Sequence, residues 1–206
     1  MGPESPATLR EQHAEFTQDA ILRALSALLE DENPGGISMP DVARKAGVSL
    51  RTVYRHFATR EDLLAAAADW INERMFGTIP FGETVDDLPK IFRYASERWD
   101  EHPKLVRAMA LSQAGRSVRS HRRAQRLAAL RHALAEVTDR LPRREQRKAF
   151  AVLGYLENML AWVTMRDEAG LDGREAGEAV EWAMRTLIND LRRRNNAAGR
   201  TRGGKQ

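Results

Sequence analysis

Residues 38–64, SMPDVARKAGVSLRTVYRHFATREDLL, constrain the fold more than any other stretch of this chain. Ser38 stands three residues before Asp41, the spacing of a capping box that opens a helix. Pro40 falls in that helix's first turn, where its missing N–H costs nothing. Val42, Ala43 and Ala46 give the helix a small apolar face. Gly47 can take a positive φ and stop it sharply. Ser49 is a fresh N-cap, and Val53 and Phe57, four residues apart, turn to the inside of a second short helix. Thr59 and Asp62 form another capping box and open a third helix.

Two short helices joined through a glycine, the second rich in hydrogen-bond donors, make a helix-turn-helix pattern. In that pattern the second helix enters the DNA major groove with its N-terminal residues on base edges. Between Ser38 and Arg60 the basic residues Arg44, Lys45, Arg51, Arg55 and Arg60 stand against the single acid Asp41. Arg51, Thr52 and Arg55 are the candidate base readers, because an arginine can grip guanine with two donors at once. Ser38, Ser49, Tyr54, His56 and Arg60 complete the candidate DNA-binding set, with Ser38, Tyr54, His56 and Arg60 positioned on phosphates. A helical hairpin with a solvated basic face has the same spacing, so the pattern alone leaves both readings open.

The residues also carry a resemblance. Ala43-x-x-Ala46-Gly47-Val48-Ser49, then Thr52-Val53-Tyr54-x-His56-Phe57, then Arg60-Glu61-x-Leu63 resembles the DNA-binding signature of TetR/AcrR-type transcriptional regulators. Arg60 departs from it, since the family more often has lysine there; either cation can hold a phosphate. The resemblance implies an all-α protein, with a three-helix helix-turn-helix head followed by a helical ligand-binding and dimerisation domain. It implies a homodimeric repressor or activator with a small-molecule pocket behind the head; the expected form is a cytoplasmic repressor that binds a palindromic operator in double-stranded DNA and leaves it when an effector binds. The last two helices would pair with their symmetry mates, and the helix opened by Thr59 would link pocket to DNA. Two heads of such a dimer address half-sites about 34 Å apart, one turn of DNA.

The remaining sequence is helical in its spacing, with about nine helices expected in all. Residues 1–9 read as a disordered arm, 10–60 as the head, 61–195 as the ligand-binding and dimerisation domain, and 196–206 as a disordered basic tail. Phe16, Ala20, Leu22, Ala24, Leu25, Leu28 and Leu29 recur as the apolar stripe of a first helix, which Asn33-Pro34-Gly35-Gly36 ends. The helix from Thr59 runs on to Phe76. A short helix ends near Gln113 with Gly115 as its breaker, and a single long helix covers residues 142–169. Ala176, Gly177, Ala179 and Ala183 would let another helix come close to the last one. Trp70, Phe76, Phe92, Trp99, Met109, Tyr155, Met159, Trp162 and Met165 are candidates to line a cavity for a mostly apolar, aromatic ligand; each could equally be plain core. Arg116, Arg119, Arg122, Arg123, Arg126 and Arg131 lie in a run without an acid. That run reads as a patch for DNA or an anionic ligand, or as a solvated helix face.

Composition excludes other classes. With no cysteine among 206 residues there is neither a disulfide framework nor thiolate chemistry. The five histidines have no metal-ligand spacing, and no phosphate loop or nucleophile elbow is present, so no catalytic residue, metal or cofactor is expected. No apolar run is long enough for a membrane helix, and the first residues lack the apolar core of a secretory leader. Other readings of the same features are a ligand-independent DNA-binding protein and a helical module that presents the basic hairpin to an acidic protein.

Overall fold

The capping residues Ser38, Ser49 and Thr59 open helices where the sequence places them. In the computed structural model, which describes residues 9–31 and 37–203 (without the side chains of 201–203), ten α-helices account for nearly all of the described chain. The head contains α1 (Leu9–Glu30), α2 (Met39–Ala46) and α3 (Leu50–His56), and α4 (Arg60–Trp70) leads out of it. The residues of the expected arm before Leu9 and the Asn33-Pro34-Gly35-Gly36 break lie outside the described residues.

The capping box of α2 is formed, with the Asp41 amide donating to Ser38 Oγ at 3.3 Å and the Ser38 amide to Asp41 Oδ2 at 3.3 Å. Gly47 has φ 69° and a Cβ there would touch nothing within 4 Å, so its backbone conformation, not crowding, requires glycine. Ser49 accepts from the Thr52 amide at 3.1 Å, and Thr59 with Asp62 closes the box that opens α4. Val42 and Val53 are fully buried and meet Ile21, Leu22, Leu25 and Leu29 of α1 in a common core. Phe16 is the exception to the expected α1 stripe, since it is exposed.

The body comprises α5 (Asp87–Glu101), α6 (Pro103–Leu111), α7 (Gln113–Thr138), α8 (Arg143–Leu156), α9 (Met159–Ala169) and α10 (Gly173–Gly203). Its core is continuous with that of the head. α10 packs along α5. A Cβ on Gly177 would stand 2.5 Å from Ser96 Oγ, and one on Gly173 2.5 Å from the Ser96 carbonyl. The small residues at the start of the last helix therefore do admit a close neighbour, and that neighbour is α5 of the same chain.

Four features differ from the reading of the sequence. The helix opened by Thr59 does not run to Phe76 as one α-helix: it widens at Ile71–Met75 into a π-turn. Gly115 does not break a helix but sits in the first turn of α7, which Ser112 caps. It lies against α6, where a Cβ would stand 2.2 Å from the Ala108 carbonyl oxygen. The expected helix over 142–169 is two, because Asn158 adopts an extended conformation and accepts from the Leu160 amide to begin α9. Finally, α10 continues to Gly203 where a disordered tail was expected from 196. Its arginines find acids on other elements: Arg192 pairs with Asp86 at 2.6 Å and Arg194 with Glu145 at 2.6 Å. Buried Asn195 accepts from the Arg140 amide at 2.9 Å and donates to Asp139 at 2.8 Å.

Replacing Gly115 with alanine forces α6 and α7 apart and is expected to cost about 1–3 kcal/mol, seen as a lower urea midpoint at unchanged slope. Gly154→Ala meets only a Leu130 methyl, at 3.0 Å, and is expected to cost less.

Candidate nucleic-acid interface and cavity

The outer face of α3 is where the head keeps its unspent charge. Arg51 and Arg55 are exposed and make no hydrogen bond or ion pair with any described residue. The other cations of the stretch are engaged. Arg44 pairs with Asp41 at 2.7 Å and Lys45 with Asp31 at 2.9 Å. Hydrogen bonds from Ser38 hold the Asp41 carboxyl below its usual range, so it stays ionised beside Arg44. Five basic residues on paper thus become two free arginines one turn apart on one short helix.

The remaining DNA candidates differ in what they leave free. Tyr54 is half exposed. Thr52 shares a hydrogen bond with Ser49 Oγ at 2.8 Å, so both hydroxyls also hold the start of α3. Arg60 Nε donates to the Ile37 carbonyl at 3.1 Å, which ties the start of α4 to the entry of α2. His56 is less available than its polar tip suggested. Its Nε2 is buried without a partner, and burial, then the charge of Arg55, lowers its pKa, which leaves the ring neutral at neutral pH.

Behind the head lies a cavity of about 410 Å³, within the size range of small-molecule sites. Of the sequence candidates, Phe76, Phe92, Trp99, Met109 and Met159 line it. Trp70 does not: its Nε1 donates to Asp19 at 2.7 Å and joins α4 to α1. Tyr155 lies on the outside of α8, half exposed. Trp162 is fully buried behind the wall, edge-on to Trp99 at 6.3 Å. Met165 is packed against the core away from the cavity.

The aromatic reading missed the polar wall. Arg116, Arg119, Arg122, Arg123 and Arg126 of α7 all line the cavity. Arg119 donates to the carbonyls of Met109 (2.7 Å) and Ala110 (3.1 Å) and to Asn158 Oδ1 (3.4 Å). Arg122 lies over the Phe81 ring at 4.8 Å, with Asp69 3.6 Å from its Nε. Arg126 pairs with Glu157 at 2.6 Å, and burial pushes that carboxyl up to about 7 against the pull of Arg126. The signal was present in the sequence. Positions 116, 119, 123 and 126 are separated by three, four and three residues, which sets them on one helix face. Glu157 and Asn158 had no comparable signal, because they reach the cavity through the unforeseen break between α8 and α9.

Comparison with known proteins agrees with this geometry. The family model described as bacterial regulatory proteins, tetR family, matches residues 21–67. An uncharacterized HTH-type transcriptional regulator of Mycobacterium tuberculosis (strain CDC 1551 / Oshkosh) is 38% identical over 58 residues, 28% of this chain and 29% of that protein. Its counterpart in strain H37Rv matches to the same extent. The chain thus covers 29% of the length of these curated relatives. In fold, the chain is similar to NalD, the secondary repressor of the MexAB-OprM multidrug efflux pump in Pseudomonas aeruginosa. The TM-score is 0.58 at 18% identity, over 85% of this chain and 96% of that one. A tetR-family transcriptional regulator from Streptomyces coelicolor gives a TM-score of 0.52 at 17% identity, over 89% and 90% of the two chains. The head, over residues 21–67, thus carries the signature of the tetR family of bacterial regulatory proteins, and the helical fold that surrounds it is similar to those of NalD and the Streptomyces coelicolor regulator.

Proposed function

We propose that the chain is a sequence-specific DNA-binding transcriptional regulator, a cytoplasmic homodimeric repressor that a small molecule releases from a palindromic operator. The observation that carries this reading is the exposed pair Arg51 and Arg55 on α3, free while Arg44 and Lys45 are paired. Two unpartnered guanidiniums on a helix held rigid by a buried Val53 suit bidentate contact with base edges. Ser38, Ser49, Thr52, Tyr54 and Arg60 border that face and are the proposed backbone contacts, with His56 a packing residue. The similarity of fold to NalD favours repression over activation.

Dimerisation is supported by apolar residues left outside the core. Val152 and Tyr155 on α8, and Trp182 and Leu187 on α10, are exposed, Trp182 by 73%. The two helices touch each other, and surfaces of this kind mark protein interfaces. The partner surface is therefore proposed on α8 and α10, while α9 belongs to the interior through Ala161, Trp162 and Val163.

The cavity is placed to act on the head. Ala68 of α4, Ile71 and Asn72 of the π-turn, and Phe76 line it. The same α4 holds α1 through Trp70 and Asp19 and holds the entry of α2 through Arg60 and Ile37. A ligand that fits a different position of this wall shifts the head, provided it binds the two arrangements unequally. The division of head from body near residue 60 follows α4 in this reading.

The experiment is selection of duplexes from a random pool, followed by affinity measurement on variants. Arg51→Ala and Arg55→Ala are each expected to reduce discrimination between selected and scrambled duplex by about 1–3 kcal/mol. Arg60→Ala is expected to weaken both duplexes alike. Unchanged preference in both α3 variants would remove the base-reading role. Sedimentation of Trp182→Glu is expected to give monomers that have lost most of their operator affinity; a dimer of normal mass would move the interface elsewhere.

A further inference from the structure

We infer that the cavity recognises an amphipathic anion, a small molecule with an apolar body and a carboxylate that α7 holds through Arg119, Arg122 and Arg126. This rests on the reading of the cavity as the effector site and names the chemistry of its occupant.

The wall contributed by α7 carries more cations than the described acids near it, Glu157 in the wall and Asp69 and Glu73 beside Arg122, can balance. Glu157 is the one acid among the residues that line the cavity, against five arginines. It serves only Arg126, and its raised pKa leaves it less than a full negative charge near neutrality. Arg119 has only neutral oxygens as partners. Burial, and then repulsion from Arg126, Arg116 and Arg123, works against its charge. Arg122 has a buried Nε with no hydrogen-bond partner; Asp69, 3.6 Å away, and Glu73 offset its charge only in part, against the larger effect of burial. Cations partly removed from water and short of counter-charge are costly, and an entering anion offsets that cost with charge-assisted hydrogen bonds. The pairing of Arg126 with Glu157 at 2.6 Å shows that this wall accepts a carboxylate.

The other walls call for an apolar body. Phe76, Leu88, Phe92 and Trp99 face the same space from the π-turn and α5. A bare anion leaves this surface uncovered, and a neutral hydrocarbon leaves the arginines uncompensated. A cation meets repulsion.

Decanoate, 1-decanol, decylamine and inorganic phosphate test this on the intact protein, with tryptophan fluorescence and calorimetry as readouts. Decanoate is expected to bind at least about tenfold more tightly than decanol, with decylamine and phosphate weaker still. Arg119→Met is expected to bring decanoate to the level of decanol while leaving decanol binding in place. Equal affinity for acid and alcohol, preference for the amine, binding of phosphate as tight as decanoate, or no binding of decanoate would each overturn the inference. Adding selected duplex separates it from the regulatory reading. If decanoate binds in the expected order without changing DNA affinity, the charge inference stands and ligand release falls. If decanol releases DNA and decanoate does not bind, release stands and the charge inference falls.

Discussion

The seven residues of α3 are too few to hold a helix in water, so the whole outer face depends on what its inner face buries. Val53 and Phe57 anchor it in the core that α1 and α2 build around Ile21, Leu25 and Val42. Ser49 and Thr52 fix its first turn. With these contacts made, Arg51 and Arg55 project from a fixed backbone, so meeting a partner costs the entropy of their side chains but not that of the helix. A change at Val53 would therefore disturb the proposed DNA contacts without removing any of the side chains that make them.

The cavity owes its existence to places where regular helix gives way. α4 yields to a π-turn at Ile71, and that turn puts Asn72 and Phe76 in the wall. α8 stops at Leu156, and the two residues before α9 bring Glu157 and Asn158 to the arginines of α7. Departures of this kind in a helix often mark functional positions. The rest of the body is packed against such freedom: α5 and α10 meet at Gly173 and Gly177, and α6 and α7 at Gly115.

Much of the head was legible in the sequence because its information is local. Capping boxes, the Gly47 stop and the spacing of Val53 and Phe57 act over three or four residues, and all appear as read. What failed was long-range. The arginines near the end of α10 looked unbalanced because Asp86 and Glu145 lie far away in sequence. Gly115 looked like a breaker because the backbone of α6 against it cannot be seen from its neighbours in the chain. The Asn158 break was hidden inside an apolar run, where a single capping residue weighs little. Aromatic spacing identified Phe76, Phe92, Trp99, Met109 and Met159 in the cavity wall but could not tell Phe92, at the surface of the space, from Trp162, directly behind it.

The pairing of Arg44 with Asp41 and of Lys45 with Asp31 has a consequence for ionic strength. Affinity for a duplex falls with salt in proportion to the phosphates whose condensed counterions a protein sets free, with a slope of about 0.9 per phosphate on logarithmic axes. A cation already matched by a carboxylate has less to displace. In the proposed DNA complex the salt sensitivity should thus follow Arg60, the cation assigned to phosphate that no carboxylate matches, rather than the number of basic letters in the stretch, and it should be weaker than the pI of about 9.7 suggests.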